Sequence, residues 1–167
     1  MTEPLDTFVI RERTLDHPDA VMLIEQVQAY YVRIYGGPDT SPLDADEFRR
    51  PGGAFFIGYL DDQPITMGGW RFHPAPPDIG AARVAEIKRM YVVEGQRGKR
   101  LARTMLAHLE SSACVAGANA LVLETGRVQP EAIALYRSSG YVDVPRFGHY
   151  AAEPAAVHLG KLISPST

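Results

Sequence analysis

A chain of 167 residues, 46% hydrophobic and 22% charged, has the size and composition of one soluble domain able to bury a real core. Its formal net charge of −3 excludes the broad basic footprint of a general nucleic-acid binder, and no apolar run is long enough to cross a bilayer, so neither nucleic acid nor membrane is expected as a partner. A lone cysteine, Cys114, excludes an internal disulfide and fits a reducing, cytoplasmic setting, and nothing in MTEPLDTFVI marks export.

In chain order, Thr7 to Glu12 reads as a first strand. LDHPDAVMLIEQVQAYYVRIYGG then predicts a helix capped by Asp16, with Pro18 and Asp19 in its first turn. It places Val21, Ile24, Val27, Tyr31 and Ile34 at helical spacing and is stopped by Gly36 and Gly37. Residues 38 to 53, rich in Pro, Asp and Gly, hold at most one short helix around Asp44 to Arg49 and form a candidate mobile lid or substrate loop. Ala54 to Leu60 and Pro64 to Phe72, separated by Asp61, Asp62 and Gln63, form a hairpin. The loop HPAPPDIGAA leads to the strand VAEIKRMYVV. After GQRGKR a helix runs to about Ala116, with Leu101, Met105, Leu109 and Ala113 on one face and Cys114 as a small core or semi-core residue. The strand ALVLET follows, then a short helix from Pro130 to Ser139 ended by Gly140, a strand at Tyr141 to Val144, a last strand near Val157 to Ile163, and a frayed tail at 164 to 167. The order β-α-α-β-β-β-α-β-α-β-β predicts one mixed sheet with helices packed on it, in a single domain over residues 1 to 167.

YVVEGQRGKRLARTML, residues 91 to 106, carries the chemical signal. A strand that runs through a Gly-containing turn into a helix aims unsatisfied backbone N–H groups and the positive end of the helix dipole at one small volume, which attracts phosphate. Arg97, Lys99 and Arg100 add charge there, and Gly98 allows close backbone approach. Three cations beside a helix start oppose its dipole unless an anion binds; the alternative is a solvated surface. The spacing matches neither the P-loop nor G-x-G-x-x-G. Arg100, where another glycine would sit more comfortably, is expected to keep helical angles and send its side chain outward. The five histidines, at 17, 73, 108, 149 and 158, show no metal-ligand spacing.

Arg97, Gly98, Lys99, Arg100, Leu101 and Ala102 resemble motif A of the GCN5-related N-acetyltransferases (GNAT), R/Q-x-x-G-x-G/A after a strand, and depart only at the fourth position. AEIKRMYV is similar to that family's fourth strand, and QPEAIALYRSSGY to its N-x-x-A-I-x-L-Y-x-x-x-G-F/Y segment, with Gln129 replacing Asn. The resemblance implies an α/β (α+β) fold: a mixed, mostly antiparallel sheet of six to seven strands, flanked by about four helices and splayed between the fourth and fifth strands. It implies acetyl-coenzyme A as cosubstrate and no metal. The pyrophosphate would lie on residues 97 to 102 and the pantetheine arm along Met90, Tyr91 and Val92, with Gln129 and Tyr136 also in contact. A homodimer through the last strands occurs in many such proteins.

The implied reaction is acetyl transfer to a primary amine of a small molecule or peptide, by direct attack in a ternary complex. A lysine-like amine, with a pKa of about 10.4, arrives protonated and needs a base. Glu86 is the favoured base, in line with a glutamate of this role in the family; the alternative is a structural carboxylate paired with Lys88 or Arg71. Tyr136 would protonate the leaving thiolate or merely orient the sulfur. Glu124 is a lesser candidate for base or substrate contact, a purely structural role being the favoured reading. His149, in RFGHY, could border the acceptor, the favoured alternative being a solvent-exposed loop histidine. Tyr30, Tyr31 and Tyr35, with Trp70 and Phe72, could line an acceptor cleft, Tyr31 and Trp70 foremost, although most such aromatics are core. Two competing readings remain: transfer of another acyl group or to a hydroxyl, and a non-catalytic coenzyme A-binding module.

Overall fold

The computed structural model describes residues 7–74 and 76–165, so the last two residues of the expected tail lie outside the described residues. Strands β1 (Phe8–Glu12), β2 (Gly53–Leu60), β3 (Gln63–Phe72), β4 (Val84–Val92), β5 (Ala120–Gly126), β6 (Val142–Asp143) and β7 (Ala156–Leu162) form one sheet in the order β1-β2-β3-β4-β5-β7-β6. Every neighbouring pair is antiparallel except β4 and β5, which run parallel. The helices are α1 (Pro18–Tyr35), α2 (Leu101–Val115) and α3 (Pro130–Ser138), with 3₁₀ turns at Ala45–Phe48 and Glu94–Gln96. The expected fourth helix is thus one short turn, capped by Asp44, whose carboxylate accepts from the Asp46 amide.

Strand alternation divides the core. Phe56, Trp70, Ile87, Leu121 and Leu123 face α2 and pack with Met105, Leu106 and Leu109, whereas Phe55, Ile57, Met67 and Tyr91 face α1 and pack with Leu23 and Val27. The α2 face is as its spacing predicts. In α1 the buried residues are Ala20, Leu23 and Val27; of the predicted face, Val27 is buried and Ile24 and Tyr31 pack on the same core, while Val21 at its start is 43% exposed. The cap is His17 rather than Asp16: its Nδ1 accepts from the Asp19 amide, while Asp16 is occupied with the Thr14 hydroxyl.

Two features of β4 position everything that follows. It pairs with β5 only through Val84, Ala85 and Glu86, beyond which the strands part. Between Met67 and Gly69 of β3 its register slips, and Arg89 takes φ 57, a bulge that bends the strand just where it separates. Among the described residues no helix is long and apolar enough to cross a membrane.

Leu109 is fully buried against the sheet, so Leu109→Ala should destabilise the fold by about 2–5 kcal/mol in urea unfolding. Val21→Ala, on the exposed side of α1, should change stability by no more than about 0.5 kcal/mol. A large loss from Val21→Ala would contradict this assignment of the helix faces.

Candidate functional site

At the start of α2 the backbone turns through Gly98 (φ 85) and Arg100 (φ 61). Arg100 therefore does not keep helical angles: it is the N-cap in the left-handed region, and no side chain caps the helix there. The fourth position of the motif, a glycine in the family pattern, is filled by a residue that costs about 1–2 kcal/mol in that conformation. A Cβ at Gly98 would meet no protein atom within 4 Å, so packing does not demand the glycine; its φ and the free space beside it do. The uncapped amides of α2 face the same space.

That space is a cavity of about 840 Å³ lined by Met90, Tyr91 and Val92 from β4, Arg97, Gly98, Arg100, Leu101 and Ala102 from the turn, and Gln129 and Tyr136 from α3. All the expected coenzyme contacts converge there except Lys99, whose Nζ turns back to Gln96 Oε1 at 2.8 Å. Arg97 lies over the Tyr30 ring at 4.8 Å. Arg103, missed in the sequence, also lines the cavity and donates to the Ser138 and Ser139 hydroxyls; its position three residues after Arg100, one helical turn on, was the available signal. A long anionic ligand with a slender arm fits this combination of uncapped amides, three lining guanidinium groups and an unpaired strand edge. Burial pushes the Tyr136 phenol up, so it stays protonated where it lines the wall.

A second cavity of about 420 Å³ shares Tyr31 and Gln129 with the first. Its wall continues through Tyr35, Asp39, Lys88, Glu124, Tyr150 and Glu153. Gln129 Nε2 donates to Tyr35 Oη at 2.6 Å, tying α3 to the end of α1 across the common wall.

The expected acceptor aromatics separate. Tyr31 and Tyr35 line the second cavity, and Tyr30 the first. Trp70 does not join them: it has no exposed surface, its Nε1 donates to Ser112 Oγ at 3.0 Å, and with Phe72 it packs on the α2 side of the sheet. Its alternation within β3 sends it there. His149 is exposed, and its Nε2 hydrogen-bonds Thr40 Oγ1 at 3.1 Å. The 38–53 segment is anchored at Asp39: the Asp39 backbone exchanges hydrogen bonds with Gln28, and its carboxylate meets Arg89, the Ser41 amide and the Tyr150 hydroxyl. Burial alone would raise the Asp39 carboxyl; the Ser41 hydrogen bond, the Arg89 guanidinium and the Tyr150 hydroxyl outweigh it and hold the pKa down at about 2. Arg89 was also missed. Strict alternation would send it with Ile87 into the α2 core, and the bulge turns it to Asp39 instead.

The two candidate bases occupy different settings. Glu86 is 3% exposed, lines neither cavity, and accepts from Arg71 Nε and Nη2 at 3.2 and 3.1 Å. This is the ion pair given above as the alternative to a catalytic role. Glu124 lines the second cavity, and burial raises its carboxyl to about 7, opposed by Lys88 and reinforced by Glu86 and Asp39. Its Oε1 is buried without a hydrogen bond, 3.6 Å from His158 Nε2, and a Cβ at Gly148 would collide with it. Cys114 lines neither cavity, and among the described residues no cluster of three or more His, Cys, Asp or Glu gathers as metal ligands.

Comparison with known proteins bears on the family and the fold. The model of the acetyltransferase (GNAT) family matches residues 21–141. The chain is 31% identical over 154 residues to the IAA acetyltransferase of Azospirillum brasilense, covering 92% of this chain and 95% of that one. A Klebsiella pneumoniae structure assigned as an acyl-CoA N-acyltransferase superposes with a TM-score of 0.72 at 25% identity, covering 93% and 97% of the two chains. The Thermoplasma acidophilum PaiA N-acetyltransferase, solved in complex with coenzyme A, superposes with a TM-score of 0.67 at 16% identity over 94% and 99%.

Two outcomes follow from the site. Arg100→Gly should raise stability by roughly 0.5–1 kcal/mol by relieving the left-handed arginine, whereas Gly98→Val, placing a branched side chain at φ 85, should cost about 1–3 kcal/mol of strain and weaken coenzyme A binding in calorimetry. Arg100→Gly leaving stability unchanged or lowered would refute the strain. Separately, Asp39 contributes stability that is complete above the unfolded carboxyl pKa of about 4 and is lost as pH falls toward its folded value of about 2. The stability gap between the parent and Asp39→Asn, about 1–2 kcal/mol after solvent screening, should therefore close between about pH 4 and pH 2 in urea titrations.

Proposed function

The chain belongs to the acetyltransferase (GNAT) family, and from that premise we propose that it moves an acetyl group from acetyl-coenzyme A to a primary amine by direct attack in a ternary complex. The observation that carries this reading is the common wall. One cavity has an uncapped helix start and three guanidinium groups suited to a pyrophosphate, and the neighbouring cavity has titratable groups suited to an amine, with Tyr31 and Gln129 lining both. Cys114 lines neither cavity, which supports transfer without a covalent enzyme intermediate.

In this reading residues 97 to 102 hold the diphosphate, and the freed edge of β4 at Met90, Tyr91 and Val92 pairs with the pantetheine amides, as the resemblance implies. The acceptor nitrogen bonds the acetyl carbon as the carbon–sulfur bond breaks. Tyr136, neutral and buried at the cavity wall, donates a proton to the departing sulfur. It regains one from the acylated nitrogen. The proton that makes the incoming amine an ammonium goes to a carboxylate at the splay: Glu86, favoured by the resemblance, or Glu124, which lines the smaller cavity.

Release of free coenzyme A thiol from acetyl-coenzyme A, measured across a panel of primary amines, tests the reaction. Tyr136→Phe should lower kcat with a good acceptor by about 10²-fold and leave acetyl-coenzyme A affinity in calorimetry nearly intact. Tight coenzyme binding with no thiol release from any amine would point to a binding module instead.

A further inference from the structure

Resting on the acetyl-transfer reading above, we propose that the smaller cavity takes its acceptor as a protonated primary amine on an aromatic or apolar body without a carboxylate, and that Glu124 receives that amine's proton. The cavity is small, about 420 Å³, and Tyr31, Tyr35, Tyr150 and Pro38 supply flat aromatic and apolar wall. Tyrosine faces also favour a cation.

The charges in the wall make the same selection. Asp39, Glu124 and Glu153 stand against a single lysine, Lys88. Asp39 is already paired with Arg89, so Glu124 and Glu153 are the carboxylates left to meet a ligand cation. Lys88 donates to Ser41 Oγ at 3.1 Å and is the main positive neighbour of Glu124. A ligand carboxylate drawn to Lys88 would therefore also come up against Glu124, with Asp39 and Glu86 behind it, and like charges at that range cancel the attraction.

Glu124 has what a proton acceptor at this place needs. Glu124 lines the cavity, and its Oε1, buried between Gly148 and His158 without a hydrogen bond, leaves that oxygen free of a protein donor that would hold its charge in place. The groups facing it are Lys88 and Glu86 from β4, Asp39 from the loop after α1, His158 from β7 and the backbone of Tyr150. The imidazole at 3.6 Å does not compete as a cation: burial lowers its pKa, with Arg146 adding to the effect, and this outweighs the Phe147 backbone and the Glu86 charge. Burial also holds the carboxyl near 7, where a base exchanges protons efficiently at neutral pH. Glu86, in contrast, has its carboxylate committed to Arg71.

The proton account closes. The ammonium gives one proton to Glu124, which passes it to solvent. The amine then forms its bond to the acetyl carbon, the carbon–sulfur bond breaks, and the second proton leaving nitrogen replaces the one Tyr136 gives to sulfur. The products are an acetamide, coenzyme A thiol and one released proton.

The test compares 2-phenylethylamine with phenylalanine, the same skeleton carrying an α-carboxylate, as acceptors for the unaltered protein with acetyl-coenzyme A. Phenylethylamine should be used with a kcat/KM at least about tenfold higher, and equal or better use of phenylalanine overturns the acceptor class. Glu124→Gln should lower kcat about 10²-fold or more, leave acetyl-coenzyme A affinity unchanged, and abolish the rise of kcat/KM through about pH 7. Glu86→Gln should keep that rise. A Glu124→Gln protein that retains it refutes the assignment of the base, and the amine comparison stands on the parent protein even where the variant folds poorly. Thiol release from neither compound nor any other amine, with acetyl-coenzyme A still bound, overturns amine acetylation itself rather than the choice of acceptor.

Discussion

The architecture turns on the limited pairing of β4 with β5. Parallel strands joined by a helical crossover ordinarily stay together along their length, because separated edges leave backbone donors and acceptors without partners. Here the ladder stops at Glu86 and Val122, and the bulge at Arg89 bends β4 away. The divergence opens the two cavities and frees the edge of β4 for a ligand. It also leaves Lys88 and Glu124 on the wall of the smaller cavity, with Glu86, still inside the ladder, close enough to act on the Glu124 charge. The protein closes the gap with polar bonds, not apolar packing. Arg89 reaches Asp39, and Gln129 reaches Tyr35. Such a buried ion pair adds little net stability over an apolar filling, but removing one partner leaves a charge stranded, so the pair fixes the loop after α1 against the bulge.

Much of this was legible in the chain. The apolar stripe of α2, the hairpin around Asp61 and Asp62 and the turn around Gly98 are local patterns, and local patterns survive folding when tertiary contacts agree with them. What sequence could not resolve depended on three-dimensional competition. Trp70 was a reasonable wall for a cleft until alternation along β3 placed it on the far side of the sheet. His17 displaced Asp16 as a cap because the nearby Thr14 hydroxyl claimed the aspartate. Arg100 shows the opposite failure: the motif itself marks a glycine position, and the left-handed backbone observed there is what that glycine would have served. A side chain that fits poorly by local rules is often the signature of a functional turn.

The contrast between Glu86 and Glu124 illustrates why residue type says little about chemical role. Both are glutamates on neighbouring strands at the splay, with little exposed surface. One meets a guanidinium that accepts its charge and shares it with Glu47; the other meets an imidazole that burial keeps from charging. Environment, and not proximity to the motif in sequence, separates a carboxylate that stays committed from one whose protonation is open to change near neutral pH.

Gly148 ties this chemistry to the history of the loop that carries it. The residue has a left-handed backbone, and any side chain there would occupy the place of Glu124 Oε1. A change at position 148 therefore moves the carboxylate at position 124. A lineage that shortens or discards the carboxylate releases position 148 from its spatial restriction, leaving only the demand of φ, which asparagine or aspartate can meet. A lineage that keeps glutamate while gaining a side chain at 148 must swing the carboxylate from its present place. The two sites are thus coupled through the position of the acid, and a single glycine in the loop between β6 and β7 lets its neighbour on β5 hold the carboxylate where it is.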